Sequence, residues 1–325
     1  MKRIQRYDQV AIYHCLSRVV HGERLLDEQG KAVFCKILRR VAGFCGVRVL
    51  TYCVMSNHFH LLVEVPSREL REQLTDAQLV HRFRLLYGEE GNCYMPITAE
   101  DLESVLAAGG AVARGWRECL QSRMNDLPMF MKLLKQRFTR WYNKTYETYG
   151  TFWSERYASL LLEPESKLLR KVACYIDLNP VRAGLVDDPA RYAWSGFGAA
   201  SMGDRKQRAS LIYLAAYGRA AGDDDFKYYL AELYQRGSLS MKIRGKEGFI
   251  PAEVVERVLQ KRIAGEQPTP FAKEFSDWLS KGIVFGSKRF LESQIPWVSQ
   301  LLGWRSQASI KQRDSTEAIL NRRLN

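Results

Sequence analysis

The 325-residue chain carries 49 Lys and Arg against 36 Asp and Glu, a formal charge of +13 with a pI near 9.4. Its 46% apolar and 26% charged content is that of a globular protein with a full core, long enough for two domains or for one with a large elaboration. The basic excess points to a polyanionic partner, most often nucleic acid, with a merely basic enzyme as the alternative, and says nothing of fold.

Residues 9–20, "QVAIYHCLSRVV", are β-branched and aromatic and predict a first strand. In 31–46, Val33, Phe34, Ile37, Leu38, Val41 and Phe44 recur at helical spacing, and Gly46 ends the helix. Residues 47–55 predict a strand, Ser56-Asn57 a tight turn, and "HFHLLVEV" (58–65) its hairpin partner. From about 67 to 126 the text turns polar and helical, with no strand evident, and reads as an insertion. Residues 127–150 form a long basic helix with Phe130, Leu133, Leu134, Phe138 and Trp141 as its apolar stripe. A strand follows at roughly 156–163, then a helix at 165–186 whose regular part ends at Pro180 or restarts there. Beyond residue 200 the chain reads as charged and helical; residues 236–325 hold 16 Lys and Arg against 9 Asp and Glu. There, 295–315 pairs two short helical patterns across Gly303-Trp304, as a helix-turn-helix does, with Ser306, Gln307 and Ser309 opening the second; two packed helices without DNA contact read equally well.

The seven cysteines are scattered without a CxxC pair, which argues against a disulfide framework or a Cys-rich zinc site and for a reducing cytoplasm. No apolar h-region follows the basic N-terminus, and no run approaches the ~18 apolar residues of a spanning helix. A cytoplasmic, nucleoid-associated protein is therefore expected, neither exported nor membrane-embedded.

His58 and His60 are two of only five histidines. On a strand they share a face with Leu62 and Glu64, opposite Phe59, Leu61, Val63 and Val65, and stand ~7 Å apart at Cα, which suits two ligands of one Mg, Mn or Zn ion. Two inert imidazoles on a half-solvated sheet are the plain alternative. In 165–186, Tyr175 and Asn179 stand i and i+4, so a phenol nucleophile and a carboxamide ligand would share one helix face. The alternatives are a core aromatic and a residue stabilising the helix end before Pro180.

"VRVLTYCVMSNHFHLLVEV", "FTRWYNKTYETYGTFWSERYASLLLE" and "YIDLNPVRAGLV" together resemble the REP-associated tyrosine transposases, within the single-tyrosine HUH transposases of insertion-sequence type. The resemblance covers roughly 7–66 and 127–200; the 67–126 insertion departs from it. It implies an α+β fold, a ferredoxin-like antiparallel sheet with helices on one face over 1–200; by its own composition, 201–325 reads as a mostly helical accessory region. It assigns His58 and His60 to the HUH motif, Tyr175 to the nucleophile and Asn179 to the third metal position, with Mg2+ or Mn2+ as cofactor. The implied activity is cleavage and joining of single-stranded or hairpin (palindromic repeat) DNA through a 5′-phosphotyrosine. A domesticated repeat-binding protein without catalysis and a hydrolase without a covalent intermediate are the rivals. Homodimer and monomer both remain open. Lys135, Arg137, Arg140, Tyr142 and Lys144 interleave cations with aromatics as a single-strand track does, and Arg156 and Arg182 join them as phosphate contacts. An ordinary amphipathic helix has the same composition.

Overall fold

The computed structural model describes residues 5–239, 241–243, 246–259, 275–302, 309–312 and 317–321. Strand β1 (Ala11–Arg18) leads into helix α1 (Glu28–Cys45). Asp27 caps α1 by accepting the Gly30 N–H at 2.6 Å, and Gly46 closes it at φ 68°, a left-handed value that only glycine takes without strain. Strands β2 (Arg48–Val54) and β3 (His58–Val65) then form the expected hairpin, its turn tied by Met55 N–H to the His58 carbonyl at 2.8 Å.

The insertion comprises α2 (Glu69–Glu72), α3 (Asp76–Tyr87), α4 (Ala99–Ala108) and α5 (Gly110–Gln121). Next come α6 (Leu127–Thr145), capped by Asp126, and β4 (Ala158–Leu162). The helix expected over 165–186 is two: α7 (Ser166–Asp177) and the single turn α8 (Asn179–Arg182), with Pro180 in the first turn of the second.

Strands β1 to β4 lie in the order β2-β3-β1-β4, all antiparallel, and α1 packs on α6. This is the β-α-β-β-α-β arrangement of a ferredoxin-like sheet, and the protein is an α+β fold built on it. The sheet separates two apolar layers. Tyr13, Cys15, Phe59, Leu61 and Val63 point toward α1, α6 and the insertion, among Phe34, Phe138 and Phe83. Ile12, Leu62, Leu160 and Leu162 point the other way, toward α7 residues Leu169, Val172 and Ile176.

Beyond residue 190, α9 (Gly196–Ser201), α10 (Arg205–Ala215) and α11 (Asp223–Ser238) build on that second layer. A small hairpin follows, β5 (Met241–Ile243) with β6 (Lys246–Gly248), then α12 (Ala252–Val258) and α13 (Phe275–Lys281). The C-terminal part is mostly helical, as expected, and adds short strands that the sequence did not show. Strand β7 (Val284–Gly286) pairs in parallel with β4; after α14 (Lys288–Leu302), β8 (Ser309–Gln312) and β9 (Ala318–Asn321) extend the sheet to seven strands. The helix-turn-helix expected at 295–315 is corrected: Ser309 lies in β8, not in a helix. Ser306 and Gln307 lie outside the described residues. Three- and four-residue strands are too short to display a period; the open edge of β4 pairs with β7, β7 with β9 and β9 with β8. No helix among the described residues is long and apolar enough to cross a membrane.

Candidate active site

The site starts from the pairing of β1 with β3. Arg18 stands opposite His58, Leu16 opposite His60 and His14 opposite Leu62. Directly opposed residues share a face, so His14 and Arg18 join the two expected histidines. The His58 and His60 rings lie 5.1 Å apart between centroids and nearly perpendicular. His58 is half-buried and His60 buried. The half-solvated sheet weighed in sequence is therefore not the environment of His60: helix α7 covers that face.

His60 Nδ1 is 2.9 Å from His14 Nε2, and His14 Nδ1 is 3.2 Å from the Leu279 carbonyl oxygen. Burial pushes His14 down to about 4. Burial also holds His60 well below its ordinary value, with the neighbouring His58 and His14 acting in the same direction. Both rings are therefore neutral near pH 7, the form that donates a lone pair.

Helix α7 begins where the Glu165 carboxylate accepts the N–H groups of Lys167 and Leu168 at 2.8 Å each. It crosses the sheet so that the Tyr175 ring stands 6.0 Å from the His60 ring, edge to face. The phenol donates to Ser276 Oγ at 2.9 Å, and Phe275 packs 5.5 Å away, so α13 lies over the ring. Asn179 Nδ2 donates to the Tyr175 and Ile176 carbonyls at 2.9 and 3.3 Å. That is the helix-end role weighed in sequence, and it leaves Oδ1 as the carboxamide atom outside these two bonds. Arg182, expected on a phosphate-tracking surface, is buried instead. Its guanidinium sits 4.7 Å from the Tyr175 ring centroid and donates to the Tyr175 carbonyl at 3.0 Å, and burial lowers it to about 10.

One residue sets where α7 sits. The Asp177 carboxylate, with no exposed surface, accepts from Thr51 Oγ1 on β2 at 3.0 Å, from the Phe197 N–H of α9 at 3.1 Å and from the Tyr229 hydroxyl of α11 at 2.5 Å. Three elements are thereby tied to the turn that carries Tyr175. Sequence reasoning missed Asp177, His14 and Arg18. The period of β1 places His14 and Arg18 on one face, but only the strand register reveals which neighbours they meet.

Of the remaining candidates, those on α6 lie elsewhere. Lys135 donates to the Glu155 carbonyl at 2.7 Å beside Trp153. Arg137 stacks on Tyr87 at 5.0 Å and Arg140 on Tyr94 at 4.0 Å; with Arg40 they line a cavity of about 260 Å³. Tyr142 packs 4.5 Å from both Tyr146 and Phe152, while Lys144 and Arg156 are exposed. These α6 residues, and the insertion packed on α1, occupy the sheet side away from Tyr175. The insertion does not roof the histidines.

Two imidazoles and a carboxamide oxygen form a nitrogen–oxygen donor set that suits Mn2+ or Mg2+, and the bond from His60 Nδ1 to His14 leaves Nε2 for a ligand role. The residues fit such an ion. No cluster of three or more His, Cys, Asp or Glu side chains arranged for a metal occurs among the described residues.

No family model matches the chain, and no curated protein matches it. Among solved structures it is similar to that of a REP-associated tyrosine transposase bound to a REP hairpin. The identity is 14%, over 61% of this chain and 84% of that one, with a TM-score of 0.38. Likeness at this level is distant and concerns the fold; it assigns no role to any residue.

Proposed function

We propose that the protein is a metal-dependent endonuclease and strand transferase of transposase type. It acts on single-stranded or hairpin DNA carrying a palindromic repeat, through a 5′-phosphotyrosine on Tyr175. The observation that carries this reading is the meeting, within one chain, of the Tyr175 ring and the His60 ring at 6.0 Å.

His58, His60 and Asn179 Oδ1 would hold Mg2+ or Mn2+, whose charge would offset that of the scissile phosphate. Arg18, opposite His58 on the sheet face, attracts the phosphate backbone at the open side of the site. Tyr175 Oη attacks phosphorus in line; the O3′–P bond breaks, leaving a 5′-phosphotyrosyl link and a free 3′-OH. A second 3′-OH then displaces Tyr175 and reseals the strand without ATP, since the covalent link retains the bond energy. Arg182 keeps its guanidinium beside the phenol ring throughout.

The test incubates the protein with Mn2+ and a labelled single-stranded oligonucleotide that folds into a palindromic hairpin, then looks for a covalent band on a denaturing gel. The band forms with Mn2+ and not with EDTA. Replacing His58 and His60 together with Ala abolishes cleavage and leaves hairpin binding within about threefold, as expected for ligands that act on the phosphate rather than on the stem. Unchanged cleavage in that variant refutes the metal role. Arg18→Ala weakens binding uniformly across sequences and lowers the salt slope of binding by about 1; an unaltered slope removes Arg18 from the backbone contacts.

A second reading, a repeat-binding protein without catalysis, draws on the covering of Tyr175, which is only 5% exposed and hydrogen-bonded to Ser276. Tight hairpin binding indifferent to EDTA, with no adduct under any divalent metal, decides for it.

A further inference from the structure

Resting on the reading of His58 and His60 as a metal pair, the inference concerns the third histidine on the same sheet face. The His14 and His60 rings lie edge to edge, centroids 5.1 Å apart and planes 15° from parallel. His14 bridges two groups: its Nδ1 is 3.2 Å from the Leu279 carbonyl oxygen and its Nε2 is 2.9 Å from His60 Nδ1.

The direction of this chain follows from which atoms are able to donate. Leu279 lies in the last turn of α13, where carbonyls lack an intrahelical partner; the Ile283 N–H, which a longer helix would turn onto it, bonds Leu320 instead. A carbonyl oxygen only accepts, so the hydrogen of that bond sits on His14 Nδ1. His14 is 1% exposed, and its hydrogen bonds among the described residues reach no carboxylate. A buried imidazolium without a counter-charge is strongly disfavoured, so the ring is neutral and its Nε2 carries a lone pair. The contact with His60 is then a bond in which His60 Nδ1–H donates. His60 is left with its hydrogen on Nδ1 and its lone pair on Nε2.

We propose that His14 is a positioning residue: by accepting from His60 Nδ1 while donating to the Leu279 carbonyl, it locks His60 in the Nδ1–H tautomer and reserves Nε2 for the divalent cation shared with His58. A ligand histidine oriented through its other ring nitrogen is a recurrent feature of metal sites, and loss of the orienting partner typically costs about 10–100-fold in metal affinity. Here the orienting group is itself a histidine, one strand away, anchored on the helix that covers Tyr175. The same bond line therefore connects the metal pair to α13.

The first measurement uses metal-free wild-type protein labelled with 15N-histidine, in which long-range proton–nitrogen correlation reads the protonated nitrogen of each ring. Both His14 and His60 are expected as Nδ1–H tautomers; a His60 ring protonated on Nε2 overturns the proposal. The second is a Mn2+ titration of two variants. His14→Gln keeps an oxygen to accept from His60 and an amide to donate to Leu279, and binds Mn2+ within about threefold of wild type. His14→Leu has neither group and loses about 10–100-fold. Equal affinity in wild type and His14→Leu, or equal loss in both variants, refutes the positioning role. If His60→Ala binds Mn2+ as wild type does, the metal reading fails on its own, while the metal-free spectrum still decides the tautomer.

Discussion

Tyr175→Phe forms no covalent adduct with DNA and loses strand cleavage by more than about a thousandfold, the scale expected for removal of a nucleophile. Binding of the same oligonucleotide stays within about threefold of wild type, because the substitution deletes one oxygen and keeps the ring against His60, Phe275 and Arg182. The hydrogen bond to Ser276 is lost, a change of about 1 kcal/mol, so melting temperature shifts little. A denaturing gel and a cleavage assay on folded variant check this directly. An adduct that persists places the nucleophile on another side chain. Cleavage that persists without any adduct reassigns the protein as a hydrolase in which water attacks.

Asp177 gives the largest expected effect on stability, with a distinctive pH dependence. Asp177→Ala leaves the Thr51 hydroxyl, the Tyr229 hydroxyl and the Phe197 N–H without their acceptor inside the second core layer. The cost is at least about 3 kcal/mol, and adduct formation falls with it as α7 loses its ties to β2, α9 and α11. Asp177→Asn separates the charge from the contacts. Burial raises the carboxyl from 3.8 to about 7, the hydrogen bonds from Tyr229, Phe197, Thr51 and Gly196 opposing it. With the folded value above the unfolded one, the folded protein holds a proton that the unfolded chain releases. The stabilisation is therefore complete below about pH 4 and is lost as pH rises through 7. In EDTA, Asp177→Asn melts close to wild type near pH 4 and above it at pH 8. The gap widens by about 1.4 kcal/mol per pH unit between about pH 4 and 7 and levels off above that. A gap that does not move with pH means that the carboxyl keeps its ordinary acidity in the fold.

Much of the first half of the chain is legible because its signals are local. The period-two runs of β1 and β3, the helical stripe of α1 and the left-handed Gly46 each express preferences satisfied within a few residues. The same holds for the helix that carries Tyr175 and for the break at Pro180, which leaves Asn179 at the start of α8 rather than in α7. The insertion was visible as a change of text, but the face it covers was not: its apolar residues join Phe34 and Phe138, partners far away in the chain. Arg182 shows the converse error. Its type suggested a surface phosphate contact, and the turn of α8 folds it inward onto the Tyr175 ring.

By itself, then, the sequence determined the ferredoxin-like element order, the placement of His58 and His60 on one strand face and of Tyr175 on a helix following β4, and a basic excess suited to nucleic acid. Tertiary structure decided that Tyr175 meets His60, that His14 backs His60, that Asp177 holds α7, and that β7, β8 and β9 complete the sheet. The reason is the range of the interactions. A side chain's direction along a strand or helix is set by backbone geometry and its nearest neighbours, whereas cross-strand register, the pairing of three- and four-residue strands and buried polar contacts depend on atoms supplied from elsewhere in the chain.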